Sequence, residues 1–453
     1  MALDADVVIV GAGAAGLSLA HRLAAPRFAW PVDVLLLDAP AALRPPERTF
    51  CYWEDGGGEY DAALAAQWDR LRLRAPDGRD VLVRLGSARY KMLPSRSFEA
   101  WAGQRIAAAP WVRRAAAEVR EVRDDGADGA RVVGLDAHGR PAAWRARWVF
   151  DSRPPPARPA RTRLLQHFRG WFVHCERPAF DPRAADLMDF RTPRPARGVS
   201  FGYVLPLGPR DALVEYTEFS PAVLDDAGYT RALRHYTEEV LRLPPFRVER
   251  REQGVIPMTD ARPSRRAGAA VFRVGAAGGA TRPATGYTFA AVQRQTREVA
   301  AALDAGRTPL PPPAYPARAL AMDAVLLRAL DTGRVDAAAF FTPLFAGVPA
   351  DRLLRFLDGR TGLREDLAVG RRTPVLPMLR TALELPLLRR RPPAGDRRDR
   401  PAPPPPSSPA SPVSPADRAA GASPRAEAPA AGARPREPLA EPHAPLPEED
   451  HGP

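Results

Sequence analysis

Cysteine, lysine and long apolar runs are scarce in this chain, and each shortage removes a class of answer. Only two cysteines occur in 453 residues, Cys51 and Cys175. Neither belongs to a CxxC pair or a Cys/His cluster, so neither a metal site nor a disulfide framework is expected, and a reducing, cytosolic setting is the default. Nowhere do about 18 apolar residues run together, the length a spanning helix needs. The N-terminal MALDAD is acidic and the apolar run VVIV stops at Gly11, so no signal peptide is expected. Lysine occurs once, at Lys91, leaving 65 arginines among the 66 basic residues. The net charge of +13 therefore follows arginine-rich composition, and no basic stripe interleaved with stacking aromatics marks a nucleic-acid surface.

What is present suits two or three ordinary domains, or one large α/β unit with an insertion. Composition changes at Arg391: 18 of the last 63 residues are proline, and phenylalanine, tyrosine and tryptophan are absent. Such a stretch buries too little apolar area to offset the entropy of ordering, so 391–453 is expected to be a disordered tail. It holds 8 Arg against 9 Asp plus Glu, which puts the positive charge on residues 1–390.

The most specific local pattern stands at the front. Residues 6–10 read as a buried strand, GAGAAG follows at 11–16, then a helical stretch, then a second strand VDVLLLD ending at Asp38. Gly11 permits the tight turn, Gly13 admits a pyrophosphate to the backbone, Gly16 lets helix and strand approach, and Asp38 is placed to accept from a ribose hydroxyl. A single copy at the N-terminus favours FAD in an extended pose. VGAAGGATRPATGYTF (274–289), with Gly275, Gly278 and Gly286, is the segment expected to meet the flavin and its phosphates; alone it also reads as an ordinary β–α turn. The expected fold is α/β: a Rossmann-like FAD-binding domain of the glutathione-reductase/hydroxylase type, formed by 1–60, 90–155 and 250–310. An antiparallel substrate-binding sheet from 60–90 and 155–250 is inserted into it, and a helical part at 311–390 follows.

Many separate segments, in one order, resemble the bacterial lycopene β-cyclase family: DADVVIVGAGAAGLSLA, RTFCYW (48–53), KMLPSRSFEAW (91–101), FDSRP (150–154), QHFRGW (166–171), LMDFR (187–191), FGYVLPLG (201–208), ALVEYTEFS (212–220), EQGVIPM (252–258), GAAGGATRPATGYTF and LLRFLDGRTGLREDL (353–367). The likeness spans residue 6 to about 385. It implies a flavoprotein that turns the acyclic ends of lycopene, or a related acyclic carotenoid, into β-rings. Reduced FAD is required without net redox change, and NADPH or NADH is the reductant. It also implies a peripheral place on the cytoplasmic side of the membrane, with other carotenoid enzymes as candidate partners. Where flavin hydroxylases carry an acidic GD before the second flavin contact, this chain reads Gly275-Ala276-Ala277. At 216, where family members often have an acid, it has Tyr216.

Ring closure needs a proton donor kept protonated by apolar surroundings, electron-rich groups facing the cation, and exclusion of water. Glu215, in LVEYTEF, is the candidate donor and matches the family's essential glutamate; a solvated strand glutamate is the other reading. In a strand it shares a face with Leu213, Thr217 and Phe219, whereas Val214, Tyr216 and Glu218 face away. Phe168, Trp171, Phe201, Tyr203 and Tyr216 are candidates for a polyene tunnel, and equally for plain core. Arg96 is a candidate contact for the flavin or its phosphates, or a surface arginine. Leu376, Leu379, Leu383 and Leu387 recur at helical spacing ahead of Arg389–Arg391, fitting either a membrane-facing stripe or a helix packed on the body. A flavin monooxygenase or reductase acting on an apolar substrate, and a non-catalytic flavin or nucleotide module, remain alternatives.

Overall fold

Ala5–Val10 (β1) is buried at every residue but Asp6, as a strand covered on both faces must be, and Gly11–Gly13 carries it into Ala14–Leu23 (α1). The structure, a computed structural model, describes residues 3–25 and 32–393. Next come Val34–Asp38 (β2), Thr49–Asp55 (β3), Ala66–Trp68 (β4), Arg70–Arg74 (β5), Asp80–Arg84 (β6), Ala88–Pro94 (β7) and Ser95–Ala107 (α2). Val112–Asp124 (β8), Ala130–Asp136 (β9), Pro141–Asp151 (β10) and Arg163–Cys175 (β11) follow. After them run Ala184–Asp189 (β12), Val199–Pro206 (β13), Asp211–Ser220 (β14), Asp226–Arg234 (α3), Phe246–Thr259 (β15) and Val271–Arg273 (β16). The remainder is helical: Phe289–Asp304 (α4), Ala317–Asp331 (α5), Ala337–Gly347 (α6), Ala350–Leu357 (α7), Leu363–Gly370 (α8) and Val375–Glu384 (α9).

Two large sheets organise these elements. In the first, β8, β2, β1, β10 and β16 pair in parallel, and β9 joins the far ends of β8 and β10 antiparallel. Helices α1, α2 and α4 cover one face through Leu17, Leu19, Phe98, Phe289 and Val292. This is the Rossmann-like half. The second sheet runs β15-β11-β14-β13-β12-β5-β6 and is antiparallel except for the β12–β5 pair. It continues to Thr259, past the boundary expected at 250.

Strand β14 lies inside the second sheet, third of its seven strands, and is buried along nearly its whole length because both faces are covered. On one face Leu213 and Phe219 join Phe201, Phe340, Phe341 and Leu353 in a core shared with α6 and α7. On the other, Val214 and Tyr216 pack with Trp171 against Tyr229 and Leu233 of α3. A small sheet, β3-β7-β4, links the halves: Trp53, Tyr90 and Met92 enter the second sheet's core, while Tyr52 and Leu93 enter the first's. Lys91, between Tyr90 and Met92, is fully buried and its Nζ donates to Glu54 (2.8 Å) and Asp61 (2.6 Å).

At the C-terminal side the leucine stripe faces outward: Leu376, Leu379, Leu383 and Leu387 are 78, 54, 70 and 82% exposed. No described helix is long and apolar enough to cross a membrane. Arg391 still exchanges backbone hydrogen bonds with Ala160, so order extends just past the expected start of the tail; the rest of that stretch, 394–453, lies outside the described residues.

Candidate active site

The first glycine turn is shaped for close approach. Gly11 has φ +93°, in the region that favours glycine. A Cβ on Gly16 would collide with the Gly11 carbonyl oxygen, whereas one on Gly13 would meet nothing within 4 Å. The N-terminus of α1 has no side-chain cap and no acid in its first turn, which leaves its amides and the positive end of the helix dipole toward that open side. The second glycine segment meets the first directly: Gly275 has φ +66°, and a Cβ there would lie 2.6 Å from Cβ of Ala15. Gly278 sits in the same short turn, residues 275–278. Gly286 (φ +73°) abuts the Gln166 side chain of β11, and Gln166 Oε1 and Thr285 Oγ1 are buried without hydrogen-bond partners. An open cradle over Gly13 and unpartnered polar atoms along 285–286 fit an extended dinucleotide running from the first sheet to the second.

Asp38 ends β2 as expected, but its Oδ2 accepts from Arg44 and, at 2.7 Å, from Arg114, both of which also bind Glu99. The predicted ribose acceptor is thus part of a four-residue charge cluster. Arg96 is 81% exposed at the start of α2, and its ion-pair partner is Glu47 (3.4 Å), which also takes Arg250.

At the other end, β14 turns Glu215 into the core. It is 7% exposed, and the Thr217 hydroxyl donates to its Oε1 at 2.6 Å. Desolvation lifts the carboxyl from 4.5 to about 8, opposed by the Thr217 bond and reinforced by the like charge of Glu252. A buried carboxylic acid that keeps its proton at neutral pH is the group a proton donor to an alkene requires. Of the two acids in LVEYTEF, this is the one sharing a face with Leu213 and Phe219. Glu218 points the other way and accepts from the Tyr216 hydroxyl at 2.8 Å.

The same alternation sorts the aromatic candidates. Tyr203 is the cross-strand partner of Glu215; Phe201 and Phe168 both pair with Thr217, and all three lie on the Glu215 side. Trp171 and Tyr216 do not. They occupy the opposite face under α3, with the thickness of the sheet between them and Glu215, so the expectation that they line the same tunnel is corrected.

Four residues that sequence reasoning missed complete the cluster. The Tyr90 hydroxyl bonds those of Tyr203 (2.6 Å) and Tyr287 (2.9 Å). The Cys51 thiol lies within bonding reach of Tyr203 and Tyr90, and burial pushes it up to about 12, so it stays protonated. Glu252 of β15 is 5% exposed and accepts from Thr49 through the amide (2.7 Å) and the hydroxyl (2.6 Å). A narrow cavity lined by Cys51, Trp53, Tyr287 and Phe289 adjoins this group. The described residues hold no cluster of metal-ligating side chains.

A family model described as "Lycopene cyclase protein" matches residues 6–383. No curated protein sequence matches significantly. Among solved structures the chain is similar to a geranylgeranyl bacteriochlorophyll reductase-like protein from Thermoplasma acidophilum, with 13% identity, TM-score 0.54, and coverage of 84% of this chain and 99% of that one. It is also similar to a flavoprotein/dehydrogenase from Cytophaga hutchinsonii, with 10% identity, TM-score 0.53, and coverage of 84% and 99%. A third is p-nitrophenol 4-monooxygenase from Pseudomonas putida DLL-E4, with 16% identity, TM-score 0.51, and coverage of 85% and 98%. Such identities establish a shared fold, not a shared reaction.

Proposed function

The chain belongs to the lycopene cyclase family, and from that premise we propose that it is a lycopene β-cyclase. In this reading it is an isomerase that closes the acyclic ends of lycopene, or a related acyclic carotenoid, into β-rings, giving γ-carotene and then β-carotene. The proposed cofactor is FAD in its reduced form, with NADPH or NADH as reductant. Gly11, Gly13 and Gly16 would hold its pyrophosphate and Gly275, Gly278 and Gly286 its flavin end; when bound, reduced FAD supplies an electron-rich surface beside the cationic intermediate.

The observation that carries this reading is Glu215: a sheltered, protonated carboxyl on an apolar face. Thr217 donates to Oε1, which leaves the acid proton on Oε2. From there it passes to the terminal alkene carbon, the neighbouring double bond attacks the tertiary cation, and a ring proton leaves. Phe168, Phe201 and Tyr203 present π faces or edges on the same side of the sheet; desolvated cation–π contacts contribute roughly 2 kcal/mol each. The buried core around Phe201 and Tyr203 would keep out water that traps the cation as an alcohol.

A substrate dissolved in a bilayer gives the exposed stripe along α9 and the turn after it a purpose. Leu376, Leu379, Leu383 and Leu387 would enter the lipid surface while the exposed Arg389 and Arg391 meet anionic headgroups, holding the protein peripherally on the cytoplasmic side; Arg390, between them, is engaged by Asp260. Expression in a lycopene-accumulating host, with pigment chromatography and mass spectrometry, tests the reaction. The product should be cyclic and equal in mass to lycopene. Added oxygen would indicate a monooxygenase, added hydrogen a reductase, and either would overturn the proposal.

A further inference from the structure

The reaction proposed above releases as many protons as it consumes, and the structure offers a separate group for each transfer. Strand β11 lies between β14 and β15, and Gly170 is the register partner of Glu215 on one side and of Glu252 on the other. All three residues share one face of the sheet. The two glutamate Cα atoms therefore stand two strand spacings apart, roughly 10 Å, with a residue that has no side chain between them. A Cβ at position 170 would sit 2.6 Å from Leu213 Cδ1 and 3.7 Å from Glu215 Cβ, closing the gap.

The two carboxyls are treated differently by their surroundings. Glu215 receives one hydroxyl bond. Glu252 receives two donors, one on each oxygen, both from Thr49 at the start of β3. Burial is the largest effect and holds the Glu252 carboxyl above the ordinary carboxylate range; the two Thr49 bonds and Arg250 offset part of that rise, and Glu47 adds to it. Two like charges over one glycine do not ionise together readily, and the carboxyl with more donors is the easier of the two to ionise. Tyr203, Tyr90, Tyr287 and Cys51 are the other titratable groups around Glu215, and all stay neutral at physiological pH.

Resting on the cyclase reading, we propose that Glu252 is the base that removes the ring proton, acting opposite Glu215 as the acid. The bookkeeping closes. The O–H bond of Glu215 breaks as a C–H bond forms at the terminal alkene carbon, and the adjacent alkene's π electrons make the new ring C–C bond. The C–H bond at the next ring carbon then breaks, its electrons forming the ring double bond and its proton passing to a Glu252 oxygen. The protonated and deprotonated ring carbons are neighbours but one, about 2.5 Å apart, so two carboxyls on one face of the sheet can serve both. Transfer of the proton from Glu252 back to Glu215 resets the pair. A carboxylate at position 216 could not do this, since that residue faces α3.

The test uses the full chain loaded with reduced FAD, lycopene in liposomes and D2O buffer, with chromatography and mass spectrometry of all pigments. Wild type should yield β-rings carrying one deuterium each. Glu252→Gln should form β-rings at least roughly 100-fold more slowly, yet return acyclic substrate enriched in deuterium, because Glu215 still protonates and the cation reverts. Glu215→Gln should give neither product nor label. Wild-type ring formation in Glu252→Gln, or loss of both product and label in a variant that still binds flavin, would overturn the assignment. Thr49→Val keeps the carboxylate and removes one donor; the acid limb of its pH–rate profile should move to higher pH, and an unmoved profile counts against the proposal. Wild type that leaves lycopene unconverted and unlabelled would instead overturn the cyclase reading itself.

Discussion

Replacing Glu215 by glutamine should make the protein inactive and more stable at once, and the pH dependence of that gain is calculable. Burial holds the carboxyl protonated up to about pH 8 in the folded state, whereas the unfolded chain releases the proton near its ordinary value of 4.5. Between these limits the unfolded state binds fewer protons, so wild-type stability falls as pH rises, with a slope approaching 1.4 kcal/mol per unit. At pH 7 the accumulated cost is roughly 3 kcal/mol, and above pH 8 it levels off near 5 kcal/mol. Glutamine has no such proton to lose and leaves an amide oxygen for the Thr217 hydroxyl. Apart from Glu252, whose ionisation eases once its like-charged neighbour is gone, the other titrating groups are common to both proteins and cancel in the difference. Thermal melts of wild type and Glu215→Gln at pH 5, 6, 7 and 8 should therefore diverge steadily, with the variant ahead by several degrees at pH 8. Parallel curves, or a variant that falls behind with rising pH, would refute the sheltered-acid reasoning. In the same window wild-type cyclisation should decline above about pH 8, as Glu215 loses the proton it must donate.

Other outcomes follow from particular contacts. Gly16→Ala forces a methyl into the Gly11 carbonyl and should abolish bound-flavin absorbance, by disordering the first turn. Leu379→Asp with Leu383→Asp touches only exposed positions, so Tm should stay within a degree or two while sedimentation with anionic vesicles drops several-fold. Arg282→Met leaves Asp323 buried without the guanidinium that now contacts both its oxygens at 3.1–3.2 Å, and should cost about 3–5 kcal/mol in denaturant unfolding.

Local patterns in the sequence carried the first sheet and half of the site. The strand–glycine–helix–strand run is local, so β1, α1 and β2 lie where reading placed them. The period of two along LVEYTEF also placed Glu215 with Leu213 and Phe219. Applied with equal rigour, that period excludes Tyr216 from the Glu215 face; Trp171 needed the β11 register as well. Glu252 was hidden for a different reason. It opens EQGVIPM, a segment that carries the family likeness without giving this residue a role, and its pairing across β11 to Gly170, 82 positions away, places it on the Glu215 face. The Tyr203–Tyr90–Tyr287 hydroxyl string joins three distant segments, and nothing local to any of them says that their hydroxyls meet. Periodicity gave α9 an apolar stripe but not its direction, since an apolar face looks the same whether protein or lipid covers it.

The setting of Lys91 has a practical reach beyond the fold. In a chain whose other basic side chains, histidine aside, are all guanidinium, the lone side-chain amine is buried beneath two half-exposed carboxylates, Glu54 and Asp61. Succinimidyl esters, aldehyde fixatives and amine-coupled sensor surfaces will find almost nothing to grip in the native state except the terminal α-amino group. Rapid acylation at position 91 would report that the interior has opened, which makes ordinary amine chemistry a direct probe of unfolding for this protein.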